Sequence, residues 1–259
     1  MDDVTDVGGN RAAAERGCVH AQYNLGVMYA HGEGVQQDDE TAVMWYTKAA
    51  KQGHSGAQCI LGFMYEWGWG VQHSSETAVM WYTKAAEQGH AAAQFNLGEM
   101  CEYGRGRGVQ QSSETALMWY TKAAKQGHAE AQGNLGAMYD SGKGVPENDK
   151  TAVMWYTKAA EQGDAEAQHN LGDKYHYGEG VQQDYETAVM WYTKAAEQGH
   201  ANAQLVLGEM YHTGEGVLQN KETAAKWYAK AAEQSREDAK AQLRIVLAQG
   251  AEAAEQWVV

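Results

Sequence analysis

The sequence predicts an all-α solenoid built from six copies of one two-helix unit. The phrase TAVMWYTKAA or a close variant occurs six times in the 259 residues. Its tryptophans are spaced by 36, 38, 36, 36 and 36 residues, at Trp45, Trp81, Trp119, Trp155, Trp191 and Trp227. A fixed period in this range is typical of solenoids assembled from identical supersecondary units. No alternation of the kind that marks β-strands competes with this pattern.

Each repeat divides into two helices with explicit boundaries. In the first repeat these helices cover residues 21–32 and 38–53, joined by a short Gly-x-Gly-Val connection. Each first helix is predicted to end at a glycine, because only a residue without Cβ adopts the left-handed cap conformation freely. These glycines are Gly32, Gly68, Gly104, Gly142, Gly178 and Gly214. Each second helix is predicted to begin after a capping side chain. The capping residues are Asp38, Ser74, Ser112, Asn148, Asp184 and Asn220.

The ends of the chain differ from the repeats. We predict an acidic segment and a remnant capping helix in residues 1–20, six repeats in residues 21–235 and a capping helical segment in residues 236–259. The RAAAERG run at residues 11–17 is typical of the end of a second helix whose repeat is otherwise missing. Either that repeat is reduced to a cap, or the chain is a piece of a longer protein.

The segment AQYNLGVMYAHGEGVQQDDETAVMWYTKAAKQG carries a family resemblance. Its AQ, LG, GxGV and WY-x-KAA elements recur together and in order over about residues 12–247. This pattern resembles the consensus of the Sel-like repeat family, the relatives of tetratricopeptide repeats. The resemblance implies an all-α, right-handed α-solenoid that serves as an interaction scaffold, and it names no partner.

The net charge limits the possible partners. The charge of −14 comes from 34 acidic against 20 basic residues. Nucleic acid requires a basic footprint, so neither nucleic acid nor an acidic membrane is an expected partner. An acidic groove that attracts a basic segment and simple solubility of a helical array both remain open. The GRGRG loop at residues 104–108 is two residues longer than its counterparts. We interpret it as a tolerated insertion rather than a nucleic-acid contact.

The three cysteines and the lack of apolar segments bear on the compartment. Cys18, Cys59 and Cys101 occupy three different repeat positions. Secreted cysteine-rich members of the resembled family carry a pair in every unit, so no stapling disulfide is expected here. The chain has no apolar stretch of about 18 residues and no signal-peptide pattern at its N-terminus. We therefore predict a soluble, cytoplasmic protein, with a secreted or periplasmic protein whose signal peptide is removed as the alternative.

The first helices carry one constant and one variable side. At about 100° per residue, the constant positions span an arc of roughly 160° and the variable positions an arc of roughly 120°. The constant positions are those of Ala21, Gln22, Leu25, Gly26, Met28 and Tyr29, and the variable ones are those of His20, Tyr23, Asn24, Val27, Ala30 and His31. By resemblance to tetratricopeptide arrays, the variable side lines the concave groove. The second helices are nearly identical copies, and their Trp, Tyr and Ala residues are predicted to be core.

The predicted groove contains a row of amides. Asn24, Asn96, Asn134 and Asn170 recur at one position, where repeats 2 and 6 carry Ile60 and Val206 instead. Exposed amides can clamp the backbone of an extended peptide without selecting its sequence. Alternatively, each asparagine satisfies a neighbouring loop.

Exposed aromatic and acidic residues are the other candidates for binding. Exposed aromatics that cluster are typical binding anchors, although Phe95 has the alternative of packing between layers. The aromatic candidates are Phe63, Trp67, Trp69, Phe95, Tyr103 and Tyr177. Glu99 and Asp173 add negative charge to the same side.

No constellation in the sequence predicts catalysis, a metal or a cofactor. GxSxG, HExxH, Walker and CxxC motifs are absent. His54, His90, His128 and His200 recur once per repeat, about 10 Å or more apart, which is too far for shared zinc ligation. Asp164 replaces this histidine in repeat 5, which suits a residue at a helix start. We predict a non-enzymatic adaptor that binds a peptide or protein segment, with a basic segment among the candidates. A small-ligand or hydrolase-like activity and a fragment of a larger scaffold are the alternatives.

Overall fold

The computed structural model describes residues 7–105, 110–234 and 237–255. These residues form fourteen α-helices, and the described ranges contain no β-strand. The all-α solenoid class is confirmed. Residues 106–109 hold most of the GRGRG loop and lie outside the described residues, as does the insertion predicted there.

Twelve of the helices belong to the six repeats. The first helices are α2 Val19–His31, α4 Ser55–Trp67, α6 Ala91–Tyr103, α8 Ala129–Ser141, α10 Ala165–Tyr177 and α12 Ala201–Thr213. The second helices are α3 Asp39–Lys51, α5 Ser75–Glu87, α7 Ser113–Lys125, α9 Asp149–Glu161, α11 Tyr185–Glu197 and α13 Lys221–Glu233. Outside the repeats, α1 Val7–Glu15 precedes the first repeat and α14 Glu237–Glu255 follows the last one.

Helix ends follow the predicted capping chemistry. Gly32 closes α2 at φ 73°, in the left-handed region, and its amide donates to the Met28 carbonyl. All six predicted glycines have a positive φ. At the start of α3, the Thr41 amide donates to Asp38 Oδ1 at 3.1 Å. The capping residues of the other second helices accept the equivalent bond.

The recurring histidines also cap helices. The Ala57 amide donates to His54 Nδ1 at 3.1 Å, at the start of α4. His90, His128 and His200 accept the same bond in their repeats. Asp164 replaces the histidine and accepts through Oδ1 at 2.8 Å. These side chains satisfy orphan amides at a helix start, as the Asp164 replacement predicts.

The chain forms two compact units, residues 1–131 and 132–259. In the N-terminal unit each helix from α1 to α7 packs against the next one in sequence. In the C-terminal unit the helices from α9 to α14 do the same. Because the contacts join sequence neighbours, each unit buries its core by stacking repeats.

The two helices of a repeat meet at a glycine and a tyrosine. A Cβ atom on Gly26 would lie 2.5 Å from the ring of Tyr46. In the other five repeats the corresponding distance is 2.5 to 2.7 Å. The equivalent pairs are Gly62–Tyr82, Gly98–Tyr120, Gly136–Tyr156, Gly172–Tyr192 and Gly208–Tyr228. These distances are below van der Waals contact, so only glycine allows the ring to lie flat on the helix.

A buried amide joins neighbouring repeats. Gln58 is 4% exposed, and its Nε2 donates to the carbonyl of Ala50 in the preceding repeat at 3.0 Å. Its Oε1 accepts from Gln88 Nε2 at 2.6 Å. The same pair of bonds forms at Gln22, Gln94, Gln168 and Gln204. The AQ motif is constant because this buried amide is hydrogen-bonded on both sides.

The second helices supply the core that the sequence predicts. Trp45, Trp81, Trp155 and Trp191 are buried, whereas Trp119 and Trp227 are half-buried. In every repeat a lysine ammonium lies 3.9 to 4.7 Å from the tryptophan ring centroid, a cation–π contact. All three cysteines are free, and burial raises the pKa of Cys59 to about 12.

The contact between glycine and tyrosine predicts a sharp difference between two glycines of α8. We expect Gly136→Ala to lower the free energy of unfolding by about 1–3 kcal/mol, because the methyl group displaces the Tyr156 ring. Gly133→Ala is the matched control, since a Cβ there meets no atom closer than 3.9 Å. It should stabilise the helix by about 0.5–1 kcal/mol. Urea denaturation measures both, and equal effects would contradict the assigned role of the tyrosine ring.

Candidate interaction surface on the first helices

Exposure increases along one stripe of each first helix. We define the first-helix face as the repeat positions of Asn24, Val27 and His31, which share one side of the helix. Residues at the Asn24 position are half-buried in all six repeats, and those at the Val27 position are half-buried or exposed. Residues at the His31 position are exposed throughout. Most of the variation between repeats is thus open to solvent.

The Tyr23 position varies but lies outside this face. The Tyr23 ring stacks on His54, the cap of the next first helix, with centroids 4.4 Å apart. The Phe95 ring stacks in the same way on His128, the cap of α8, with centroids 4.8 Å apart. Phe95 is half-buried and therefore packs between successive repeats, the alternative that the sequence left open. It is separate from the aromatic residues that remain exposed.

Three exposed aromatic rings lie in contact on repeat 2. Phe63 and Trp67 belong to α4, and Trp69 follows in the connection. The Phe63 ring meets Trp69 edge-on at 5.0 Å and Trp67 at 6.1 Å between centroids. Phe63, Trp67 and Trp69 are 36%, 59% and 53% exposed. We call these three residues the aromatic patch. The three rings pack against one another, and more than a third of the surface of each residue remains exposed to solvent.

Two tyrosines occupy the Trp67 position in other repeats. Tyr103 in repeat 3 is 50% exposed, and the Arg105 guanidinium lies 4.7 Å from its ring centroid. Tyr177 in repeat 5 is 65% exposed and lies edge-on to His176 at 4.6 Å. Tyr103 belongs to the N-terminal unit with the aromatic patch, and Tyr177 belongs to the C-terminal unit.

The asparagine row lies at the edge of the core. Asn24, Asn96, Asn134 and Asn170 are all half-buried. The Asn96 amide donates a hydrogen bond to the Tyr82 hydroxyl of the preceding repeat. This bond assigns Asn96 a role within the fold, with a partner in helix α5 and not in a neighbouring loop.

A set of carboxylates beside the core tyrosines was not predicted from the sequence. The Tyr82 hydroxyl donates to Glu66 at 2.8 Å, and the Tyr120 hydroxyl donates to Glu102 at 2.7 Å. Glu66 and Glu102 occupy the Ala30 position, which varies between repeats. In repeat 5 the acceptor is Asp173, at 2.6 Å from Tyr192. A glutamate at the Ala30 position, one helix turn after the glycine of the LG pair, was the sequence signal that could have predicted the bonds from Tyr82 and Tyr120.

Glu99 and Asp173 have different surroundings although both occupy the Val27 position. Burial raises the pKa of Glu99, and the nearby Arg105 partly offsets this effect. Asp173 accepts the Tyr192 bond and lies 3.7 Å from His169 Nε2. Glu99 is thus a half-buried carboxylate, whereas Asp173 is engaged within its repeat.

Repeat 5 replaces a core methionine with a lysine. Lys174 is 4% exposed and forms ion pairs with Asp140, Asp149 and Glu179, the last two at 2.8 Å. Oxygen atoms of these three carboxylates lie within 4.8 Å of one another, close enough to hold a metal ion. Here the lysine ammonium provides the positive charge. Burial alone lowers the pKa of Lys174, but the three hydrogen bonds outweigh it and raise this pKa above its ordinary value.

The fold and this surface define a class of protein: a helical-repeat solenoid with variable side chains over a constant core. Six Sel1 repeats match the chain, at residues 19–54, 55–90, 91–128, 129–164, 165–200 and 201–235. The chain therefore belongs to the Sel1 repeat family. Proteins of this family are generally helical-repeat scaffolds for protein interaction, and the fold is typically non-enzymatic.

Solved structures agree with the family assignment. A Sel1 repeat protein from Oxalobacter formigenes is 37% identical with a TM-score of 0.75, over 86% of this chain and 90% of its own. A protective antigen of uropathogenic Escherichia coli with an SLR fold is also 37% identical, with a TM-score of 0.72 over 96% of this chain. This chain spans 61% of the antigen's length. No curated protein gives a significant match. Among the described helices, none combines the length and apolar character needed to cross a bilayer.

The Lys174 cluster predicts a charge effect on stability. Lys174→Met restores the methionine of the other repeats but leaves three neighbouring carboxylates without a cation. We expect it to lower the free energy of unfolding by about 1–2 kcal/mol, less than for a fully buried pair because the carboxylates are partly exposed. Lys226→Met is the matched control, since its pair with Glu222 is exposed on both sides. It should change stability by less than about 0.5 kcal/mol.

The pH dependence of this effect follows from the pKa of Lys174. Because that pKa is raised on folding, the stabilisation is fully present below the ordinary value of 10.5 and is lost only as the pH rises through the higher folded-state value. Denaturation at pH 7 and pH 9 should therefore give the same difference between wild type and Lys174→Met. A difference that disappears between these pH values would contradict the ion-pair assignment.

Proposed function

We propose that this protein is a non-enzymatic scaffold whose first-helix face binds a basic, extended segment of a partner protein. The aromatic patch is the observation that carries the proposal. Exposed aromatic residues in mutual contact are typical interaction anchors, because they bury a large area on binding at a small cost in side-chain entropy. The half-exposed rings of Phe63, Trp67 and Trp69 fit this description.

The distribution of charge supports a basic partner. The six first helices contain a single lysine or arginine, Lys174, which is already paired with carboxylates. Their acidic residues are Glu66, Glu99, Glu102, Glu130, Asp140, Glu166, Asp173 and Glu209. The second helices instead carry eleven acidic and eleven basic residues. The negative charge of the repeats is thus concentrated on the first helices, where it would steer and hold a basic segment.

The repeat geometry supports an extended segment. An extended chain advances about 3.3 Å per residue, so a short segment reaches the first helices of several repeats of one unit. Lysine or arginine in such a segment would meet the carboxylates of the first-helix face, Glu99 in the N-terminal unit and Asp173 and Glu209 in the C-terminal unit. The half-buried asparagines would contribute hydrogen bonds to its backbone.

The free thiols support a reducing compartment as part of this proposal. Cys59 and Cys101 are buried without a disulfide, and burial raises the pKa of both thiols. We propose a cytoplasmic scaffold on this basis.

Loss of the aromatic patch should weaken binding without unfolding the protein. Peptides selected from a random displayed library serve as the probe, with affinity measured by calorimetry. We expect the double variant Phe63→Ala with Trp67→Ala to weaken binding of the selected peptide by about 2 kcal/mol, or about 30-fold. Met44→Ala with Met80→Ala is the control, because these residues are similarly exposed, at 44% and 43%, on second helices. Equal affinities of the two double variants, with unchanged melting, would place the site elsewhere.

The charge of the partner can be tested separately by salt. Affinity for a basic peptide should fall as ionic strength rises from about 0.01 to about 0.15 M, because the Debye length shrinks from about 30 to about 8 Å. A peptide with glutamine in place of each lysine and arginine should bind more weakly and show little salt dependence. The affinities of both peptides are measured at both salt concentrations. If the affinity of the basic peptide does not change with salt, binding does not depend on the acidic residues of the first-helix face.

A further inference from the structure

A cavity of about 310 Å³ lies in the C-terminal unit, next to repeat 6. Residues at the end of α10, along α12, in the connection after α12 and in α13 and α14 line it. Its polar and aromatic lining includes His176, Tyr177, Glu209, His212, Glu215 and Tyr228. This volume is at the lower end of the range for ligand pockets, which suits one side chain or a small molecule.

The cavity occurs where repeat 6 departs from the pattern of its neighbours. In repeats 2 to 5 the core tyrosine hydroxyl donates to a carboxylate of the preceding helix. In repeat 6 His212 occupies the Glu66 position, and the Tyr228 hydroxyl donates to no carboxylate of the described residues. The buried Nδ1 atoms of His176 and His212 also lack hydrogen-bond partners among the described residues. Buried polar atoms of this kind are normally satisfied, so the cavity has unused hydrogen-bonding capacity.

The charge of the cavity is negative. Partial burial raises the pKa of the Glu209 carboxyl group, and Asp238 of α14 raises it further while His176 opposes this effect. Glu215 accepts a hydrogen bond from the Tyr185 hydroxyl and lies 3.9 Å from His176 Nε2. Among the described residues that line the cavity there is no lysine or arginine. A cation bound here would meet the carboxylates of Glu209 and Glu215 without displacing a lysine or arginine.

Aromatic surfaces complete the site. Tyr177 is 65% exposed at the mouth of the cavity, and its ring meets His176 edge-on. Tyrosine faces attract ammonium and guanidinium groups, more strongly where water is excluded. Carboxylates and an aromatic wall together favour a planar, delocalised cation. An anionic ligand would meet Tyr228 as a donor but would be repelled by both glutamates.

We propose that this cavity binds the guanidinium group of an arginine side chain or of a small guanidine. Glu209 and Glu215 provide the counter-charge, and Tyr177 covers one face of the cation. The proposal depends on the C-terminal unit alone and is independent of the aromatic patch on repeat 2.

The experiment is an NMR titration of the full chain, with the ring signals of His176 and His212 as the readout. The probes are the peptide acetyl-Gly-Gly-Arg-Gly-Gly-amide, its glutamine analogue, and agmatine as a free guanidine. We expect the arginine peptide and agmatine to shift both histidine signals and the glutamine analogue to leave them unchanged. Saturation by agmatine but not by the peptide would restrict the site to small guanidines. Saturation by the peptide with a weaker response to agmatine would assign it to a partner side chain.

Variants at equivalent positions of two repeats provide the matched comparison. Glu209→Gln and Tyr177→Ala should each weaken probe binding at least 10-fold. Glu99→Gln and Tyr103→Ala, at the same repeat positions in repeat 3, should change it less than 2-fold. The double variant Phe63→Ala with Trp67→Ala should bind these probes like wild type, which separates this proposal from the proposed partner segment. Equal losses in both variant pairs, or no difference between the arginine and glutamine peptides on the wild-type protein, would overturn it.

Discussion

The contact between a helical glycine and a buried tyrosine ring holds each repeat together. The Tyr120 ring lies against Gly98 of the other helix, in the space that the Cβ atom of any other residue would occupy. Close approach then allows the buried glutamine to reach both the preceding repeat and its partner glutamine. Packing and hydrogen bonding in every repeat depend on this spacing, since a wider separation would leave a buried amide unsatisfied.

A core constrained in this way leaves few positions free to differ. Variation is concentrated on the first helices, where the same helix position carries an exposed tryptophan in repeat 2, serine in repeat 4 and tyrosine in repeat 5. The charges follow the same division. Because the constant second helices are balanced in charge, the net negative charge of the repeat helices comes from the first helices.

Two repeats also depart from the pattern inside the core, and both departures are polar. Lys174 enters a methionine position and is compensated by three carboxylates. At Tyr228 the usual carboxylate is replaced by His212, and a cavity lies beside it. The first departure is satisfied within the chain, whereas the second leaves polar groups available to a ligand.

The sequence by itself determined the period, the helix ends and the core stripe. Gly32 and Asp38 identify helix boundaries because a left-handed cap and an N-cap depend on residues a few positions apart. It also placed Phe63 and Trp67 on the variable side of the first helix, with Trp69 in the connection that follows. Only the tertiary structure separated Phe95 from them, since its partner His128 is brought near by the stacking of two repeats. The bond from Tyr82 to Glu66 and the cavity at Tyr228 likewise arise between helices, where the geometry of packing decides which polar groups meet and which remain unpaired.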